Sequence, residues 1–94
     1  LNNNQIRYQR LKKARLLGTH STEQWEALKA KFAYRCVRCG ASDRIIQRDH
    51  IVPIYQGGSD GIENIQPLCQ RCNASKGPET FNWAAYRLTH GFPE

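Results

Sequence analysis

Apolar positions along the chain change their spacing from one stretch to the next, and each spacing predicts an element. In "QIRYQRLKKARLL", residues 5 to 17, Tyr8, Leu11, Ala14 and Leu17 recur every third position. That predicts a helix with a narrow apolar stripe, stopped at Gly18. The Asn run at residues 2 to 4 reads as a loose end or a cap. Ser21 followed by Gln24 spells a capping box, and Trp25, Leu28 and Phe32 share one face of a second helix running to about Ala33. The segment "RIIQRDHIV", residues 44 to 52, is rich in β-branched side chains and reads as a strand. Residues 55 to 63, "YQGGSDGIE", are turn-forming. "NIQPLC" is a short extended piece, and "QRCNASK" fits one short helix ending at Gly77. Phe81, Ala84, Ala85 and Leu88 then mark a last amphipathic helix after Pro78. No internal repeat or low-complexity tract interrupts the series.

A chain of 94 residues makes one small domain with limited capacity to bury apolar surface. Its hydrophobic share of 39% is that of a globular chain rather than a disordered one. No run is long or apolar enough for a membrane span and no signal-peptide pattern opens the sequence, so a cytoplasmic setting without a membrane partner is expected. The first residue is Leu and there is no Met, which is the look of a chain trimmed at its start.

The formal charge of +6 is unevenly placed. Residues 1 to 22 carry Arg7, Arg10, Lys12, Lys13 and Arg15 and no acid, while the remainder is close to neutral. A one-sided positive segment fits a nucleic-acid partner, and equally fits a solvated helix face. A site for the polyanion must decide between them.

Two C-x2-C pairs, Cys36 with Cys39 and Cys69 with Cys72, supply four thiolates at the spacing of a tetrahedral zinc site. Gly40 suits the tight knuckle that wraps such a metal. Disulfides are the competing reading, but two-residue spacers close strained small loops. Zinc at such a site contributes on the order of 10 kcal/mol to folding, comparable with the whole stability of a small domain. Four thiolates close the coordination shell, so this metal is expected to be structural and not catalytic.

Between the pairs lies "RDHIVPIYQGG", where Asp49 and His50 stand side by side. Adjacent side chains on a strand point to opposite faces, so the two serve separate tasks unless the backbone bends. With Asn64 and Asn73 they make a second polar set. The ordered pattern C-x2-C, "DHIVPIYQGG", "ENIQPLC", C-x2-C-N-x2-K over residues 36 to 76 resembles the HNH endonucleases, of the ββα-metal (His-Me finger) class.

That resemblance implies an α+β fold: a two-stranded hairpin with a long loop and a helix packed across it, stapled by zinc on the four cysteines. N-terminal helices and a C-terminal helix would flank it. Residues 1–35 are expected to form a basic helical extension packed on the core, 36–77 the nuclease core, and 78–94 the C-terminal helix, all in one domain. The resemblance implies His50 as general base, since an imidazole is available neutral near physiological pH. It implies Asp49 and Asn73 as oxygen ligands of one catalytic ion, Mg²⁺ or Mn²⁺, and Asn64 as a residue that bonds across the loop and orients His50. Double-stranded DNA is the implied substrate, with 5′-phosphate and 3′-hydroxyl products. Arg48, Arg71 and Lys76 join the five basic residues of the first helix as candidate phosphate contacts, with a solvated role the competing reading for each. His20 and His90 read as surface histidines.

Asn73 stands where the family name has a histidine, an H-N-N form that favours oxygen-loving Mg²⁺ or Mn²⁺ over Zn²⁺ or Ni²⁺. Similar Asp-His-Asn-Asn sets occur in the HNH domain of RNA-guided CRISPR effector nucleases. Small free-standing members occur in phages, often beside the packaging machinery, and in restriction or mobile-intron systems. A phage-encoded protein in a bacterial cytoplasm, with packaging proteins as partners, is the expectation, with the other settings left open. Nicking or double-strand cleavage, by a monomer or a weak dimer, stays open. The alternatives are a non-catalytic zinc-ribbon module that only binds DNA and a zinc interaction module without a nucleic-acid partner.

Overall fold

Asn2 caps the first helix, α1 (Asn3–Leu17): its side chain accepts from the Gln5 amide and the Gln5 side chain answers on the Asn2 N–H. Of the asparagine run Asn2 is thus the cap and Asn3 and Asn4 are the first helical residues, so the helix starts two residues before the expected Gln5. The computed structural model describes residues 2–93; Leu1 and Glu94, the end residues of the outermost expected divisions, lie outside them. Ser21 and Gln24 form the expected capping box of α2 (Thr22–Lys31). This helix stops short of Ala33, because Ala33 and Tyr34 both adopt left-handed backbone, with φ of 55° and 58°.

Two strands follow, β1 (Ile46–His50) and β2 (Ile65–Cys69), antiparallel with His50 opposite Ile65, Asp49 opposite Gln66 and Ile46 opposite Cys69. The expected strand over 44–52 is trimmed at both ends. Beyond His50 the chain leaves the ladder for a long loop, with short 3₁₀ turns at Ile54–Gln56 and Ile62–Asn64. Pro67 is tolerated in β2 because the sheet has only two strands, and its carbonyl accepts from the Val37 N–H on the other side. Helix α3 (Gln70–Ser75) leaves β2 directly, and α4 (Trp83–His90) closes the described chain. The result is a small α+β domain with a hairpin-plus-helix centre.

The core gathers around the second half of this hairpin. Phe32, Val37, Leu68 and Ala84 pack with Cys36, Cys69 and Cys72, and Leu28, Ile46, Trp83 and Phe92 lean on them. All five residues of β2 are buried. The expected faces of the outer helices need correction. On α1 only Ala14 is buried, while Tyr8 and Leu17 are 68% and 62% exposed, because this helix meets the rest of the fold mainly through the 54–56 turn. On α4, Phe81 precedes the helix and Ala85 and Leu88 face solvent; Trp83, Ala84 and Arg87 turn inward. Polar contacts set that rotation. The Gln66 side-chain oxygen accepts from the Trp83 and Ala84 N–H groups at 2.9 and 3.3 Å, and Arg87 donates to the carbonyls of Val37 and Arg38 at 2.6 and 2.7 Å.

Candidate active site and thiolate cluster

The four cysteines meet as the spacing requires. Their sulfurs all lie within 4.8 Å of one another, with Cys39 Sγ 3.9 Å from Cys69 Sγ. The edge of a ZnS₄ tetrahedron with bonds of about 2.3 Å is about 3.8 Å, so the cluster has the size of a metal cage. Each pair forms a knuckle: the Cys39 N–H points at Cys36 Sγ and the Cys72 N–H at Cys69 Sγ, both at 3.5 Å. Gly40 takes the left-handed turn, φ 81°, that returns the chain. Burial acts to raise the Cys36 thiol, but the N–H groups of Cys39, Cys69 and Arg38 outweigh it and bring it down to about 7. Burial and the neighbouring sulfurs push Cys72 up to about 12, and burial likewise raises Cys39. One thiolate forms readily and then opposes the next, so the donor set as a whole calls for a cation at its centre.

At the other end of the hairpin, a cleft of about 590 Å³ opens over Asp49, His50 and Asn73, with Arg7, Arg10 and Arg48 around it. The strand alternation sends Asp49 and His50 to different neighbours. Asp49 is buried against Gln66, its cross-strand partner, whose Nε2 donates to Asp49 Oδ2 at 2.9 Å. The same oxygen accepts from Lys76 Nζ at 2.8 Å. Asp49 Oδ1 has no partner among the described residues. Asn73 donates through Nδ2 to Gln47 at 3.0 Å, which leaves its carbonyl oxygen unengaged. Two free oxygens on one cleft, one carboxylate and one amide, fit a hard divalent cation.

His50 ends β1 and is partly exposed. Its Nε2 lies 2.9 Å from Asp60 Oδ1, across the loop. Asp60 is the partner of His50 that sequence reasoning misses, hidden in a turn-forming "GSDG"; only its proximity across the fold identifies it. Asn64 does bond across the loop. Its Oδ1 accepts from the Val52 N–H at 2.9 Å, and its Nδ2 donates to the carbonyls of Val52 and Ser59 at 3.0 and 2.7 Å. It therefore fixes the loop that presents Asp60, while the imidazole itself is bonded to Asp60. The glycine pair has a matching cause. Gly57 is left-handed, φ 91°, and a Cβ on Gly58 would run into the Val52 carbonyl and the Asn64 amide.

Lys76 is the main correction. It is neither a solvated helix-end lysine nor free to meet a phosphate: it is 6% exposed and donates to Asp49 Oδ2, the His50 carbonyl at 2.7 Å and the Ile51 carbonyl at 3.1 Å. Three N–H groups meet three acceptors, so the ammonium has none left. Of the other basic candidates, Arg48 lies beside the site, its guanidinium 5.3 Å from the Trp25 ring centre. Lys13 borders a neighbouring hollow with Ile54 and Tyr55, and Arg15 turns to Asp60 at 3.8 Å. Lys12 lies on another face of α1, and Arg71 sits with Arg44 and Ile45 away from the cleft. His20 is not a free surface residue; its Nδ1 is 2.7 Å from the Asp60 carbonyl. His90 is exposed and stacks on Tyr86. Among the described residues no helix is long and apolar enough to cross a membrane.

No curated protein matches the chain. Residues 36–79 match the family model described as HNH endonuclease, a segment that holds both cysteine pairs, the hairpin, α3 and all four polar residues of the cleft and its loop, so the chain carries an HNH endonuclease domain.

Proposed function

We propose that this protein is a metal-dependent endonuclease that hydrolyses phosphodiester bonds of double-stranded DNA, leaving 5′-phosphate and 3′-hydroxyl ends. The observation that supports it most is the convergence of Asp49, His50 and Asn73 with three guanidiniums on one cleft. Asp49 and Asn73, through their unengaged oxygens, would hold one divalent ion, Mg²⁺ or Mn²⁺. When bound, that ion offsets charge developing on the scissile phosphate and the leaving oxygen. His50 accepts a proton from the attacking water. Arg7 and Arg10 from α1 and Arg48 from β1 seat the backbone by phosphate contacts, which position DNA without reading its bases. Zinc in the four-cysteine cage holds the hairpin to α3 and takes no part in the chemistry.

Plasmid conversion tests this reading. Supercoiled DNA is incubated with purified protein in EDTA, Mg²⁺ or Mn²⁺, beside His50→Ala. Ion-dependent nicked or linear product that drops by at least about 10²-fold in the variant is expected for loss of a general base. Cleavage that persists in His50→Ala would assign the base wrongly. A salt-sensitive mobility shift without cleavage under any ion would leave only a DNA-binding module.

A further inference from the structure

We propose that Asp60 is the positioning residue for His50: its carboxylate fixes the imidazole as the Nε2–H tautomer and so makes Nδ1 the nitrogen that accepts the proton from water. An ionised carboxylate can only accept, so the 2.9 Å contact between Asp60 Oδ1 and His50 Nε2 requires the proton on Nε2. In the neutral ring the lone pair then falls on Nδ1. Nδ1 has no hydrogen-bond partner among the described residues, and no buried side-chain polar atom among them lacks one, so this nitrogen is reached by solvent on a ring that lines the cleft.

Asp60 is itself built into place. Its N–H donates to the Ala14 carbonyl of α1 at 3.2 Å, and its own carbonyl lies 2.7 Å from His20 Nδ1. Its carboxylate, 15% exposed, also faces Arg15 Nε and His20 Nδ1, each at 3.8 Å, both longer than its bond to His50. Contacts from α1 and from the turn after it therefore hold the carboxylate in place. A backbone carbonyl could select a tautomer as well, but it would bring no charge to favour the imidazolium that forms when the water gives up its proton. The consequence reaches α1: the helix that carries Arg7 and Arg10 into the cleft also anchors the residue that orients the base.

The catalytic arm of the test rests on the nuclease reading; the spectroscopic arm does not. A long-range ¹H–¹⁵N spectrum of the zinc-loaded protein, recorded without Mg²⁺ or Mn²⁺ at a pH where the ring is neutral, should show His50 with Nε2 protonated and Nδ1 bare. Asp60→Asn is isosteric and keeps both backbone contacts. It removes only the charge, so kcat for plasmid nicking should fall on the order of 10- to 100-fold with KM little changed. A wild-type ring protonated on Nδ1 overturns the proposal without need of any variant. So does an Asp60→Asn protein that keeps full kcat. If wild type fails to nick DNA, the nuclease reading falls, and the spectrum still decides what Asp60 does to the ring.

Discussion

Replacing Lys76 by Met removes one positive charge from the interior and keeps most of the side chain's volume. In the wild type, Lys76 Nζ sits 2.8 Å from Asp49 Oδ2, with the two side chains only 3% and 7% exposed. At that distance and an effective dielectric of about 20, the attraction is about 6 kcal/mol before desolvation is subtracted. Met also leaves the His50 and Ile51 carbonyls without their ammonium donor, while Gln66 still holds Asp49. Breaking one side of a buried pair costs about 3–5 kcal/mol, so a loss near 4 kcal/mol is expected, a large share of the roughly 5–15 kcal/mol that holds a domain together. Urea unfolding of the zinc-loaded protein reads it directly: with a slope of about 2 kcal/mol per molar, the midpoint should fall by about 2 M. Asp49→Asn in the same background removes the orphaned carboxylate and should restore at least about 1 kcal/mol of that loss. A Lys76→Met protein within about 1 kcal/mol of wild type, or a double variant showing no coupling, would refute the assignment of Lys76 as the internal counter-charge of Asp49.

Removing zinc with a strong thiol-competing chelator should take away on the order of 10 kcal/mol and unfold the domain, seen as loss of helical circular dichroism and recovered on adding zinc but not magnesium. Gly58→Ala places a methyl against the Val52 carbonyl and the Asn64 amide; a loss of about 1–3 kcal/mol in thermal or urea unfolding is expected, with nicking reduced because the same loop carries Asp60. Arg7→Gln with Arg10→Gln should weaken DNA binding for all sequences alike and flatten the plot of log K against log salt by about 1 for each phosphate that is no longer neutralised, while urea stability stays within about 0.5 kcal/mol. Equal salt slopes for wild type and variant would place these arginines outside the DNA path.

The parts of the site legible in the sequence are those whose chemistry fixes a short spacing. A tetrahedral cage closed by two tight knuckles needs C-x2-C twice, so the cluster can be located before any fold is known. Asp49, His50 and Asn73 are legible through the ordered motif that resembles the HNH endonucleases. Lys76 misleads because lysine is ordinarily solvated, and only the depth of the α3–β1 contact, with three acceptors converging on it, reverses that. Asp60 escapes because turn composition is uninformative about where a carboxylate points. The helix faces fail for a different cause. The stripe on α1 meets a single loop, so Tyr8 and Leu17 have nothing to pack on, and α4 is rotated by Gln66 and Arg87 rather than by its apolar residues. Periodicity reports what a helix can bury, whereas these two are aimed by polar bonds with partners far away in the chain.

Helix α3 is six residues long, starts at a cysteine of the cage and carries the next one within it. A helix of that length does not hold itself in water, so its conformation is borrowed from the sulfurs at its start. Asn73 and Lys76 sit on that segment and at its end, and Asp49 is held by Lys76 together with Gln66. Assembly along the chain therefore has an order. Until Cys72 has been synthesised and the long loop back to Cys36 has been closed by a metal, Asp49 and Asn73 are expected to be two distant points on a flexible polymer. A zinc-starved chain of this kind is expected to hold every residue of the cleft without its arrangement, and to gain that arrangement when the cage fills.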